Sequence, residues 1–201
     1  MPVNILYPSN GDVALPSAFG RMIYTSTSIK AGDTIGGTSV ETSFASQCRI
    51  PANSMQVGQR YRVDYYGNYT TPGITPPSTN AKLKLAAAGG PTPSTFATIL
   101  QTGAVANPTG AAGLPYNGFA DIVVLSVGSN GSVRTSGTNF FGTGAAMGVV
   151  DGVNATTTGG INTTIDLWLQ LAVLFSYASA ANSNTLDMLT VTLFDPSPYS
   201  N

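Results

Sequence analysis

Between Thr164 and Phe175 the chain reads TIDLWLQLAVLF, and every second residue from Ile165 through Leu167, Leu169, Leu171 and Val173 to Phe175 is apolar without a gap. Side chains alternate across a strand but recur every 3.6 residues on a helix, so this run predicts a strand with one face in a core. On a helix the same six residues would be scattered around the circumference. The other register is Asp166, Trp168, Gln170, Ala172 and Leu174. It predicts an outer face that is wet at Asp166 and covered near Trp168 and Leu174, by a loop or by a neighbouring subunit.

The same periodicity recurs along the chain and gives nine expected strands, at residues 20–29, 38–50, 60–69, 81–87, 94–102, 118–127, 132–141, 164–175 and 185–194. In the third, Tyr61, Val63, Tyr65 and Tyr69 share one face with Gly67, while Arg60, Arg62, Asp64, Tyr66 and Asn68 take the other. Lys82 and Lys84 alternate with Leu83 and Leu85, and lysines on a short strand protect a sheet edge. Phe119, Val123, Leu125 and Val127 fall in one register, as do Leu189, Val191 and Leu193. Asn130-Gly131 predicts a hairpin with a type I′ turn. The Gly-, Ala- and Pro-rich stretches 103–117 and 142–160 are expected to be long loops.

Pro2, Pro8 and Pro16 deny residues 1–19 a helix or a central strand. This segment reads as an extended N-terminal arm whose apolar side chains, Val3, Ile5, Leu6 and Tyr7 among them, need burial against the domain or a neighbour. Residues 20–201 then form the domain. No fixed-period repeat and no helix is apparent. Eight or nine antiparallel strands in this length fit an all-β, two-sheet jelly-roll sandwich. An immunoglobulin-like sandwich is usually shorter and carries a Cys…Trp…Cys signature that is missing here.

Chemistry is sparse. Charged residues make up 8% of the chain, against about 25% in an average globular protein. There is no histidine, which removes the commonest general base and metal ligand and makes a Ser-His-Asp triad impossible within the chain. Asp64, Asp121, Asp166 and Asp187 lie on separate strands, and no spacing brings two carboxylates together. No phosphate loop and no calcium-loop spacing occurs, so no enzyme activity, cofactor or metal site is expected. The single Cys48 reads as a core residue of a strand. With a net charge of −1 and no basic cluster, nucleic acid is not an expected partner. The N-terminus shows no signal-peptide pattern and no run is long enough to span a bilayer, so a soluble protein made in a cytoplasm is expected. Among surface aromatics, Tyr66, Tyr116 and Trp168 are candidates to stack on sugar rings.

The segment Arg49–Tyr69 reads RIPANSMQVGQRYRVDYYGNY. A strand ends at Ile50-Pro51-Ala52-Asn53, a turn follows at Val57-Gly58-Gln59, and a new alternating strand runs to Tyr69. This resembles a recurrent segment of the small β-sandwich proteins of tailed-bacteriophage virions. Lys82-Leu83-Lys84-Leu85 is similar to their next short strand, and Phe119–Ser132 and Ile165–Leu193 to their later paired strands, so the resemblance covers about residues 35–195. Gln59 stands where the family often has an aspartate. The resemblance implies a structural virion protein. Its expected role is a capsid cement, or decoration, protein on the outer surface of the phage head, bound to the major capsid protein and to itself as a homotrimer or dimer. The alternative it leaves open is a tail or head fibre module that binds host-surface carbohydrate. Under the cement reading the interface candidates are Val3, Ile5, Leu6, Tyr7, Tyr66, Tyr116, Trp168 and Leu174.

Overall fold

The computed structural model describes residues 20–26, 29–89, 97–142 and 147–195, the stretch 147–155 in its backbone only. Twelve strands run through them: β1 (Arg21–Ser26), β2 (Thr34–Gly36), β3 (Thr42–Ile50), β4 (Arg60–Thr70), β5 (Ser78–Ala86), β6 (Ala97–Gln101), β7 (Val105–Ala106), β8 (Leu114–Ser126), β9 (Gly131–Gly142), β10 (Met147–Ile161), β11 (Leu167–Phe175) and β12 (Ser183–Phe194). All pairings are antiparallel. The large sheet has the order β1-β12-β4-β8-β9-β10, with β2 beside β12; the small sheet has the order β3-β11-β5-β6, with β7 beside β5.

Eight of these strands give the jelly-roll order, β1-β12-β4-β8 in one sheet and β3-β11-β5-β6 in the other. Successive strands switch sheets except within the β5–β6 hairpin, so strands distant in sequence end up side by side. The hairpin β9–β10 is inserted between β8 and β11 and extends the large sheet. Its far strand packs toward β6, where Thr156 Oγ1 donates to the carbonyl of Ile99. The sandwich is an all-β fold, as the periodicity predicts.

The core lies between the sheets. From β11 come Leu167, Leu169, Leu171, Val173 and Phe175, from β4 Tyr61, Val63, Tyr65 and Tyr69, and from β12 Leu189, Val191 and Leu193, all buried. Gly67 leaves room for two neighbours at once. A Cβ there would sit 2.1 Å from the Thr185 carbonyl oxygen and 2.6 Å from the Tyr116 ring.

Several expectations change. Ile165 is 40% exposed and precedes β11. The Asn162 side chain accepts from the Thr164 backbone and hydroxyl, a local turn that delays the strand to Leu167. Residues 142–160 are largely strand β10, which small and β-branched residues allow once its register with β9 shifts at three places. The stretch 103–117 contains β7 and the start of β8, and β2 falls where no strand was expected. Lys82 and Lys84 lie on an interior strand, since β5 sits between β11 and β6. Phe119, Val123, Leu125 and Val127 point outward, while Ala120, Ile122 and Val124 fill the core. Residues 127–130 do join β8 to β9, but the positive φ there belongs to Gly128, at 112°, so the turn is not type I′. Val40, inside the expected strand 38–50, is 67% exposed and precedes β3. The expected arm, residues 1–19, lies outside the described residues, and Val3, Ile5, Leu6 and Tyr7 with it.

Candidate functional site: two unlike outer faces

Each sheet has an outward face, and the two differ. On the small sheet the register sets Arg49, Trp168 and Ala86 side by side, then Gln47, Gln170 and Lys84, then Ser43, Ala172 and Lys82. Most of this face is closed. Ala172, Ser43, Ala86 and Gln170 are buried, with Gln47 and Lys84 nearly so. Gln170 accepts from the Ser43 hydroxyl at 3.1 Å and donates to the carbonyl of Ala88 at 3.0 Å. Glu41, just before β3, forms ion pairs with both Lys82 and Lys84. Burial pushes the Glu41 carboxyl up, but the two lysines outweigh it and hold the group below its ordinary range.

Trp168 is half-buried in this face, and the backbone at Gly89 approaches it: a Cβ on Gly89 would lie 3.1 Å from the indole. The loop after β5 therefore covers Trp168 from within the chain. Leu174, also half-buried, lines a cleft of about 360 Å³ with Ser39, Asn80 and Ser176.

The large sheet is open. Across β12, β4, β8 and β9 its outward residues form rows: Met188, Tyr66, Asn117 and Phe140; Thr190, Asp64, Phe119 and Thr138; Thr192, Arg62, Asp121 and Ser136; Phe194, Arg60, Val123 and Arg134. Every one of these is at least partly exposed, and Tyr66 is 43% exposed. Tyr66, Phe119 and Phe140 occupy three adjacent strands as diagonal neighbours, within reach of one another for aromatic side chains. Arg62 is fixed between them and the charged rows. It bonds Asp64 at 3.1 Å and Asp121 at 3.0 Å, and its guanidinium lies 3.9 Å from the centre of the Phe119 ring. Arg60 stacks on Phe194 at 4.3 Å. Asn68 donates to Asp187 at 3.1 Å beside Tyr66.

Tyr116 does not belong to either face. It is 4% exposed, opposite Gly67 in the ladder and stacked on Phe141. β8 begins at Leu114, and that phase turns Tyr116 inward. Its hydroxyl has no hydrogen-bond partner, and burial pushes its pKa well up. Of the three aromatics proposed for sugar rings, Tyr66 alone is broadly exposed on an open face.

Between β3 and β4 the chain makes two tight turns. Asn53 adopts a φ of 58° and Gly58 a φ of 85°, left-handed conformations that Asn and Gly tolerate best. Asp166 closes the first turn by accepting from the Ala52 backbone at 2.9 Å and from Arg49, and these bonds hold its carboxyl below the usual range. Gln59 closes the second: its side-chain oxygen accepts from the Gln56 backbone at 2.8 Å and from the Tyr61 hydroxyl, the acceptor role an aspartate would fill. Among the described residues no group of three His, Cys, Asp or Glu side chains is placed to hold a metal. Cys48 is buried, and desolvation pushes its thiol up to about 12. Among the described residues no helix is long and apolar enough to cross a membrane.

Comparison with protein-family models finds no match, and none of the curated proteins matches. Among solved structures the chain is similar to a seed lectin of Lotus tetragonolobus, at 9% identity, with 85% of this chain and 97% of the lectin covered and a TM-score of 0.38.

Proposed function

We propose that this chain is a structural virion protein of a tailed bacteriophage, acting as a cement protein on the outer surface of the head, where it binds the major capsid protein and stabilises joints between capsid subunits. The observation that carries the reading is the open outward face of the large sheet. It presents Tyr66, Phe119, Phe140, Met188 and Arg62, and neither Lys nor Glu stands in the rows of β12, β4, β8 and β9. Aromatics, Met and Arg are enriched in protein interfaces and Lys, Glu and Asp depleted; of the aspartates here, Asp64 and Asp121 are paired with Arg62. The resemblance of Arg49–Tyr69 to virion proteins supplies the setting. A cement protein works by contact area alone, so a rigid sandwich with a broad docking face suits the task.

The test is co-sedimentation of the purified chain with undecorated heads. Binding, together with greater resistance of the heads to heat, is the expected result. A chain that leaves heads unbound and instead binds defined oligosaccharides on a glycan array would replace this reading with the fibre-module alternative.

A further inference from the structure

We propose that the loop between β4 and β5, with Ile74 at its tip, is a second docking point of this chain: an uncharged, braced knob that seats in an apolar pocket of a neighbouring capsid subunit. The inference rests on the cement reading of the large-sheet face and adds a contact away from that face.

Ile74 is 84% exposed, more than any other large apolar side chain among the described residues, and Gly73 and Thr75 beside it are exposed as well. The loop that carries it is nevertheless held at both ends. On one side the buried Thr71 hydroxyl donates to the Pro108 carbonyl at 2.6 Å and accepts from the Ala111 backbone at 2.9 Å. The Gly110 backbone donates to the Pro72 carbonyl at 2.9 Å. On the other side the buried Asn107 amide donates to the Pro77 carbonyl at 2.6 Å and to the Thr79 hydroxyl at 2.7 Å. Pro72, Pro76 and Pro77 fix their own φ angles. Thr75 has a φ of 50°, a left-handed conformation in which a β-branched side chain crowds the backbone. Such strain persists only where the surroundings over-determine it, and it gathers at binding sites. An apolar side chain on a braced tip leaves little loop freedom to be lost on docking.

Charge, size and place favour a protein pocket on a second subunit as the occupant. No charged residue lies between Asp64 and Lys82 or between Lys84 and Asp121, so the tip and the segment 107–113 that braces it are neutral. A phosphate backbone or an anionic lipid surface finds no cation there. One isoleucine is too little to hold a bilayer, since even a single myristoyl chain binds one only marginally. A single rigid aliphatic side chain is matched instead by a preformed, desolvated pocket on a protein. As for place, β4 continues past Tyr66 to Thr70, about 13 Å at about 3.3 Å per residue, before the loop begins. The tip therefore lies beyond the rows of the large-sheet face. A joint is clamped only by a protein that touches both of its sides, and a face with a separate knob beyond its end supplies the two contacts.

Co-sedimentation with undecorated heads is measured for the wild type and for Ile74→Asp, each followed by heating of the saturated heads. The wild type is expected to bind and to protect. Ile74→Asp is expected to bind about tenfold more weakly, the effect of losing one buried aliphatic side chain, and to protect less even at saturation, because one side of the joint is released. Circular dichroism checks that the variant folds; if it does not, Ile74→Ser takes its place with the same expectation. A folded variant that binds and protects like the wild type overturns the second contact and leaves the cement reading standing. A wild type that ignores heads overturns the cement reading itself. Wild type that floats with phosphatidylcholine vesicles through Ile74, or an oligomeric state that changes in the variant by light scattering, gives the tip to a bilayer or to another copy and overturns the inference as well.

Discussion

Single residues carry the clearest physical consequences. The Tyr116 hydroxyl is buried without a hydrogen-bond partner. Leaving such a group unpaired costs about 1–3 kcal/mol, so Tyr116→Phe is expected to stabilise the protein by about 1 kcal/mol, read as a higher midpoint in urea. Buried tyrosines also set the alkaline limit. Burial pushes Tyr61 up to about 12 and raises Tyr65 and Tyr116 as well. A raised phenol is neutral in the folded state while its unfolded counterpart ionises near the ordinary value of about 10. The stability it contributes is therefore whole below that pH and is lost as pH rises toward the folded value. Ultraviolet titration should show these tyrosines ionising together with unfolding. Tyrosinate absorbance that appears in advance of the loss of circular dichroism would contradict it. Cys48, with its thiol pushed to about 12, should resist alkylation at neutral pH until denaturant is added.

At the scale of strands, the sequence makes some elements plain and conceals others for identifiable reasons. β4, β11 and β12 bury one register almost without exception, so alternation alone finds them. β10 was hidden because Gly, Thr and Asn look like loop when no strong apolar register stands out, and its pairing with β9 shifts at three points. The face of β8 was misleading for another reason: Phe119, Val123 and Leu125 are larger than Ala120, Ile122 and Val124 taken together with their small neighbours, yet Gly118 and Ala120 are what the crowded interior accepts. A Cβ on Gly118 would meet the Tyr65 hydroxyl at 2.3 Å, and Gly118→Ala is expected to cost about 1–3 kcal/mol in denaturant unfolding. The Glu41–Lys82–Lys84 cluster spans β3, β11 and β5, and strand order, invisible in one sequence, is what brings it together. Glu41 is held below its ordinary range, so its contribution is present at neutral pH and fades as pH falls through the lowered value. Glu41→Gln should flatten the acid limb of a stability–pH profile; an unchanged limb would remove the cluster from the account.

For the whole molecule, the candidate docking surface was only half legible. Tyr66 was singled out from the sequence and lies on the open face, while Tyr116 was not separable from it until the phase of β8 was known. Trp168 and Leu174 were legible as covered positions, and Gly89 shows that part of the cover at Trp168 comes from within. Trp168→Ala should therefore lower stability by about 2 kcal/mol, less than a fully buried tryptophan would, while assembly is preserved. Under the cement reading, removing residues 1–19 is expected to leave a folded sandwich with weaker attachment to heads or to other copies, measured by co-sedimentation and light scattering. A chain that unfolds on that deletion would instead assign the segment to the core.

The pairing of Arg21 with Leu193 joins the first described strand to the last. β12 also holds β2 on one side and β4 on the other, so β1 and β2 have no partner in the large sheet until that strand exists. Before β12 is made, β1 and β2 are unpaired and β4 has only β8 beside it. Contacts so far apart in sequence also fold slowly. A chain that stops before β12 would therefore leave β4 as an exposed edge, open to proteases and to pairing with other chains.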